Sequence, residues 1–279
     1  MVTKIDSREQ FKDLSIRPDE KYILTSDITV EDTRLAVLFY GILDGNNHTI
    51  KNLNDKTHII EENRGKIKNL KVKNPKSEYK GSTGVDDSLF SDIGRTGGIC
   101  VSNKGTIENC HVSGTLISGK NIGGIIGENL GIIKDCRFKG TVESKKGLAG
   151  GIVANNGTGR LNRNRIPGLA GDIVANNVKN GTVKKCSTVG NVKSVSVTGG
   201  IVGRNKGKVS DSYFNGDLDM ENKTTGYIVG VNDNKINNCH SIVENEEGPL
   251  IGEENGMSDN NSFRKTAKNI KKAIIVNKI

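Results

Sequence analysis

Residues 97–112 read GGICVSNKGTIENCHV, and the pattern returns at residues 123–138 as GGIIGENLGIIKDCRF. Two further copies begin at Gly199 and Gly226, and in all four copies the first Gly precedes a Cys or Ser by 13 residues. Most copies begin about 26 residues after the previous one, within the 20–50-residue period typical of repeat architectures. The repeat therefore decides the fold class.

Each unit contains short runs in which apolar and polar residues alternate, as in residues 106–112, with Gly and Asn between the runs. Such alternation predicts strands joined by tight turns. One unit of about 26 residues cannot bury its apolar face alone, whereas stacked units can, with backbone hydrogen bonds between units at ~4.8 Å. The sequence predicts an all-β protein, a right-handed parallel β-helix of about eight or nine rungs. We expect Gly and Asn at corners with left-handed backbone angles.

The cysteines follow the repeat. The same position of successive units holds Cys110, Cys136, Cys186, Ser212 and Cys239, which we expect to point inward as one column. A metal or redox site is the functional alternative, but neighbours in one column cannot surround a metal tetrahedrally. We therefore expect buried small side chains, with no metal site and no cofactor.

The ends and two interruptions differ from the repeat. Residues 1–30 are predicted to form an N-terminal capping helix and strand, residues 31–258 the β-helix, and residues 259–279 a basic cap or tail. Insertions are predicted at residues 74–96 and at residues 157–167, because both segments break the pattern.

The charge is uneven along the chain. The whole chain carries +9, but residues 140–215 contain twelve Lys and Arg against three acids, whereas residues 216–258 are acidic. We predict an anion-binding face formed by Arg160, Arg163, Arg165, Lys184, Lys185, Arg204, Lys206 and Lys208. The alternative is that these residues keep a sheet surface soluble and its edges unpaired.

Composition excludes several classes. The longest aliphatic run, residues 273–276, is far shorter than a membrane span. Trp is absent and aromatic residues make up 4% of the chain, which argues against an aromatic-lined groove for sugars. We do not expect nucleic acid as a partner, because clustered aromatic residues for stacking are missing and residues 216–258 are acidic.

Residues 39–53, FYGILDGNNHTIKNL, resemble the F-x-G-x-LDGNGHTI-x-NL opening of bacterial surface β-helices, and the repeats resemble the GLUG motif. Together they are similar to the N-terminal β-helical region of the streptococcal immunoglobulin A1-specific metallopeptidases and related surface proteins. The His-Glu-x-x-His motif of those peptidases is absent from this sequence, so no catalytic residue is assigned. The resemblance implies a non-catalytic module for adhesion, display or substrate positioning, with a host protein or glycan as partner. We expect a monomer.

The resemblance also implies a cell-surface or secreted protein, although residues 1–6 lack the apolar segment of a secretory signal and a cytoplasmic location stays open. Two other functions remain. A carbohydrate-active enzyme, a polysaccharide lyase or glycosidase, would need clustered carboxylates, for which the candidates are Asp217, Asp219 and Glu221, or Asp86 and Asp87. An intracellular scaffold is the third.

Overall fold

The structure is a computed structural model. It describes residues 2–12, 20–30, 36–52, 58–78, 95–118, 121–144, 149–150, 153–155, 169–171, 174–177, 181–194, 197–219, 224–243 and 248–265.

The elements follow one another in chain order. The first third contains β1 (Val2–Ile5), α1 (Arg8–Lys12), β2 (Lys21–Leu24), β3 (Ile28–Val30), β4 (Ala36–Phe39), β5 (Ile42–Asp44), β6 (Thr49–Asn52), β7 (Ile60–Asn63), β8 (Lys66–Lys68) and β9 (Lys71–Glu78). The middle contains β10 (Arg95–Gly97), β11 (Cys100–Asn103), β12 (Thr106–Glu108), β13 (His111–Ser118), β14 (Asn121–Gly123), β15 (Ile126–Asn129), β16 (Ile132–Lys134), β17 (Arg137–Ser144), β18 (Ala149–Gly150), β19 (Val153–Asn155), β20 (Leu169–Gly171) and β21 (Val174–Asn177). The last third contains β22 (Thr182–Lys184), β23 (Ser187–Ser194), β24 (Val197–Gly199), β25 (Val202–Asn205), β26 (Lys208–Ser210), β27 (Tyr213–Asn215), β28 (Thr224–Gly226), β29 (Val229–Asn232), β30 (Lys235–Asn237), β31 (His240–Val243), β32 (Ile251–Glu254), β33 (Met257–Asp259) and β34 (Ser262–Lys265).

The strands pair in parallel with the equivalent strand of the next unit. In the described residues the longest sheet has ten strands, in the order β1-β2-β5-β8-β12-β16-β22-β26-β30-β33. A nine-stranded sheet has the order β3-β6-β9-β13-β17-β23-β27-β31-β34. Shorter sheets, of five, four, three and three described strands, contain the remaining strands. The protein is a parallel β-helix, as the repeat predicts.

The ten-stranded sheet exceeds the expected eight or nine rungs because the predicted cap contributes two strands. Strand β1 pairs with β2, and β2 pairs with β5 of the first rung. Helix α1 ends at Lys12 in the described residues, and its Phe11 is fully buried. At the other end β34 extends the nine-stranded sheet to Lys265, beyond the predicted boundary at residue 259. The structure also shows strands inside the predicted insertion 74–96, to Glu78 and from Arg95.

One turn of the helix is clearest from β10 to β13. Alternate side chains point inward, so that Ile107 and Val112 are buried while Lys104 and His111 are exposed. The corner between β12 and β13 is Asn109, with φ of 49°. The same corner is left-handed in the other units, at Asn69, Asp135, Lys185, Asp211, Asn238 and Asn260.

The prediction of left-handed corners is therefore correct for the Asn position and wrong for the paired glycines. Within the described residues, no glycine of the Gly-Gly pairs has a positive φ. Gly97 is required by close approach instead, because a Cβ there would lie 2.5 Å from the carbonyl oxygen of Cys100. Positive φ occurs at a different glycine position, represented by Gly140 at 147°.

The unit that begins near residue 150 contributes no described strand to the two longest sheets. Strand β16 pairs directly with β22, and β17 pairs with β23 along its whole length. Strands β18 and β19 instead continue the sheets of β14 and β15. The described strands of this unit therefore belong to the shorter sheets, and the predicted insertion at residues 157–167 lies outside the described residues.

Candidate functional site

The predicted basic residues that the structure describes lie on or beside the ten-stranded sheet. Lys184 on β22 and Lys208 on β26 are exposed on its outer face. Lys185 is exposed at the left-handed corner after β22, and Lys206 is exposed in the turn before β26. The fifth, Arg204, lies on β25 of a shorter sheet. The structure brings the first four to one side of the rod, whereas Arg160, Arg163 and Arg165 lie outside the described residues.

Two of these cations are partly neutralised by acids of neighbouring rungs. Arg204 Nε lies 2.6 Å from Asp233 Oδ2, and Lys184 Nζ lies 3.8 Å from Asp211 Oδ2. The pKa of Asp211 is lowered, first by the hydrogen bond from the Asn238 side chain and further by the nearby lysines. Within the described residues, Lys185, Lys206 and Lys208 form no ion pair, so they are the members that remain available to an anion.

The thiol column lies inside the rod, as predicted. Cys110, Cys136, Cys186 and Cys239 are buried, and each thiol donates a hydrogen bond to the carbonyl oxygen two residues earlier. Ser212 occupies the same place and its hydroxyl donates to Ser210 O at 2.7 Å. Burial raises the pKa of Cys186 and of Cys239 to about 12. Such thiols are unreactive.

A second interior column consists of asparagines, a residue type that the sequence predicts only at corners. Their side chains are fully buried, and each lies two residues before the Gly or Asn of the next turn: Asn63, Asn103, Asn129, Asn205 and Asn232. Three neighbouring pairs bond from Nδ2 to Oδ1 at 2.6–2.8 Å: Asn63 to Asn103, Asn103 to Asn129, and Asn205 to Asn232. At the C-terminal end, Asn232 Nδ2 donates instead to Glu254 Oε1 at 2.6 Å. The regular occurrence of Asn six residues after each unit's first Gly was the available signal.

The acidic candidates do not form a described cluster. Asp217 is exposed, and Asp219 Oδ2 lies 3.7 Å from Lys193 Nζ. Glu221, Asp86 and Asp87 lie outside the described residues. In the part of the chain that the structure describes, no three His, Cys, Asp or Glu side chains lie close enough to hold a metal ion. No described helix is long and apolar enough to cross a membrane.

The histidines after the column are directed outward, as expected. His111 is exposed, whereas His240 is half-buried with its ring stacked on Tyr213 at a centroid distance of 6.2 Å. His111 lies between Lys71 of β9 and Arg137 of β17 in the nine-stranded sheet. Sequence reasoning missed this second group of basic residues, because they are separated along the chain.

The comparisons with known proteins agree with this architecture. The family model described as "The GLUG motif" matches residues 118–143, which span one turn from the end of β13 to β17. A crystal structure described as that of a "putative immunoglobulin A1 protease" from Bacteroides ovatus is similar in fold, with a TM-score of 0.63 and 19% sequence identity. The match covers 94% of this chain and 84% of that chain. No curated protein sequence matches significantly.

These findings define a parallel β-helix that carries a GLUG motif. They confirm the resemblance to GLUG-motif β-helix proteins, and the structural likeness extends over nearly the whole chain.

Proposed function

We propose that this protein is a non-catalytic β-helical module of a bacterial surface or secreted protein, which binds an anionic partner through exposed basic side chains. The observation that carries the proposal is the set of exposed cations that form no ion pair in the described residues, among them Lys185 at the corner after β22, Lys206 in the turn before β26 and Lys208 on β26. A cation without an ion-pair partner remains available to bind an external anion.

The architecture favours binding or display. Ten parallel strands at ~4.8 Å extend roughly 45 Å, and the hydrogen bonds between rungs fix the backbone position from which every outward side chain extends. A rigid surface needs no ordering when a partner binds, which lowers the entropic cost of association.

The resemblance supports the location and role. The resemblance to surface peptidases implies an accessory module, and the structural relative from Bacteroides ovatus is itself described as a "putative immunoglobulin A1 protease". We infer that this module positions a host protein or an acidic glycan, and that the chemistry of any larger protein lies in another domain.

The test is binding of the whole chain to immobilised heparin, hyaluronan and neutral dextran at physiological salt. We expect retention on the acidic glycans, elution by salt and no retention on dextran. Equal behaviour on all three matrices would overturn the proposal, because binding then does not depend on ligand charge.

A further inference from the structure

The nine-stranded sheet brings together basic residues from four strands that are distant in sequence. Its register aligns Lys71 of β9, His111 of β13 and Arg137 of β17 in one outward column. The adjacent outward column contains Lys51 of β6, followed by Lys73, Ser113 and Lys139. We call Lys51, Lys71, Lys73, His111, Arg137 and Lys139 the basic trough; all six are exposed.

The basic trough is formed by outward side chains of four neighbouring strands. Lys71 and Lys73 stand on one side of β13, and Arg137 and Lys139 stand on the other. Adjacent strands are ~4.8 Å apart and outward neighbours on one strand are ~6.6 Å apart, so the two cation pairs face each other across about 10 Å. His111 and Ser113 between them supply shorter hydrogen-bonding side chains.

Few acids surround these cations. Within the described residues, none of the five Lys and Arg side chains of the basic trough has a carboxylate within ion-pair distance. On the β6 side, Asp27 accepts a hydrogen bond from Thr49 N and lies 3.3 Å from His48 Nδ1. Its pKa is lowered first by the Thr49 hydrogen bond and to a smaller extent by His48 and Lys71. On the other side Asp135 is exposed at the corner before β17, and Glu143 lies toward the far end of that strand.

We propose that the basic trough binds a sulfated polysaccharide, whose sulfate groups lie over β13 between Lys71 and Lys73 on one side and Arg137 and Lys139 on the other. This inference rests on the proposed function and names the surface and the ligand class. Guanidinium and ammonium groups form short charge-assisted hydrogen bonds to sulfate oxygens. His111 and Ser113 add hydrogen-bond donors on β13, between the two pairs of cations.

The composition of the trough favours a sulfated glycan over two other polyanions. Single-stranded nucleic acid is held largely by stacking on aromatic side chains, and the trough contains only the imidazole of His111. A membrane surface is bound by basic residues together with apolar side chains that enter the bilayer, and none of the six trough residues is apolar. The two facing pairs of cations instead suit a narrow, hydrophilic chain with charged groups on both sides.

The pKa of His111 should change when an anion binds in the basic trough. Its pKa is lowered, first by desolvation and then by the positive charges of Arg137 and Lys71. Lys73 and Lys139 face it from the same two strands, Ser113 shares its own strand, and Asp135 lies at the adjacent corner. An anion in the trough would stabilise the imidazolium and raise this pKa. Binding should therefore strengthen as the pH falls toward 6.

The experiment compares two quadruple variants of the whole chain. The first carries Lys71→Gln, Lys73→Gln, Arg137→Gln and Lys139→Gln in the trough. The second removes the same number of charges from exposed lysines on or beside the ten-stranded sheet that belong to neither basic set, through Lys4→Gln, Lys21→Gln, Lys104→Gln and Lys235→Gln. Circular dichroism and melting temperature establish that both are folded. Calorimetry with a size-defined heparin oligosaccharide measures affinity, and His111 is titrated by NMR with and without the oligosaccharide.

We expect the trough variant to lose affinity by ~10-fold or more, with a shallower salt dependence, and the second variant to stay within about threefold. The pKa of His111 should rise on binding in the wild-type chain. A trough variant that binds like wild type overturns this inference while leaving the proposed function intact. Absence of binding by the wild-type chain overturns both.

Two further probes test the ligand class. Single-stranded DNA of matched charge and vesicles containing phosphatidylserine should bind more weakly than heparin at 150 mM salt. Equal or tighter binding of either probe, lost in the trough variant, would overturn the assignment to a sulfated polysaccharide.

Discussion

Asn103 donates a hydrogen bond from Nδ2 to Oδ1 of Asn129 across 2.6 Å, although both side chains are fully buried inside the rod. Asn129 Oδ1 also accepts from Gly131 N, and its Nδ2 donates to Gly131 O. One amide thus joins two rungs and closes its own turn. The same arrangement at Asn63 and Asn205 makes this ladder a polar counterpart of the apolar core.

We predict that Asn129→Ala strongly destabilises the protein. It removes the oxygen that accepts hydrogen bonds from Asn103 Nδ2 and from Gly131 N, and a donor left unsatisfied in a buried site costs about 1–3 kcal/mol. Urea unfolding measures the free energy of unfolding. Asn191→Ala is the control, because Asn191 is exposed on β23 and should change stability by less than about 0.5 kcal/mol. Equal effects of the two changes would contradict the ladder.

Replacing Lys185, the corner residue after β22, should increase the stability of the protein. Its φ of 53° lies in the left-handed region, where its equivalents in other units are Asn or Asp. Asn adopts this conformation more easily than Lys, so Lys185→Asn should raise the melting temperature. Asn109→Val, at the same corner, should lower stability by ~1–2 kcal/mol. A destabilised Lys185→Asn variant would show that the corner has another conformation.

The buried thiols should be inert in the native protein. All five cysteines are buried, and the pKa of Cys186 and of Cys239 is about 12. At pH 8 we expect a thiol-specific reagent to leave the folded chain unmodified and to label all five cysteines after unfolding. Asn191→Cys gives the positive control, because that single exposed thiol should react rapidly. Rapid reaction of native cysteines would place the column outside the core.

The pKa of His111 depends on its neighbours. Arg137→Gln should raise it by removing a nearby positive charge, whereas Lys184→Gln on the other sheet should leave it unchanged. Because the folded pKa lies below the ordinary value near 6.5, His111 reduces stability as the pH falls through that ordinary value. Arg137→Gln should diminish this loss. NMR titration measures the pKa of His111. An unchanged pKa in Arg137→Gln would show that the charge of Arg137 does not act on His111.

The fold could be predicted from the sequence because the repeat acts locally. Alternation, corner residues and the spacing to Cys110 and Cys136 all reflect the path of one rung. The inward direction of the thiols followed from the same argument. The burial of Asn103 and Asn129 did not, because Asn is ordinarily a turn residue and only the stacked structure shows that each amide reaches the next rung.

The candidate site was less predictable for a related reason. Charge counted along the chain singled out residues 140–215, yet a sheet surface in a β-helix is assembled across rungs. Lys73 and Lys139 lie two strands apart in the nine-stranded sheet, although many residues separate them in sequence. Each belongs to a segment with a moderate charge, so neither was a candidate before the register was known.

The central claim is that rungs distant in sequence stack in register and bring Lys73 and Lys139 to one surface. Spin labels on Lys73→Cys and Lys139→Cys, with the buried native thiols unlabelled, test it by electron paramagnetic resonance. Asn215 occupies the same column two strands further on, so a Lys73→Cys and Asn215→Cys pair provides the scale. We predict backbone separations of ~10 Å and ~19 Å for the two pairs. A Lys73–Lys139 separation of about 25 Å or more, over five rung spacings, would contradict the account.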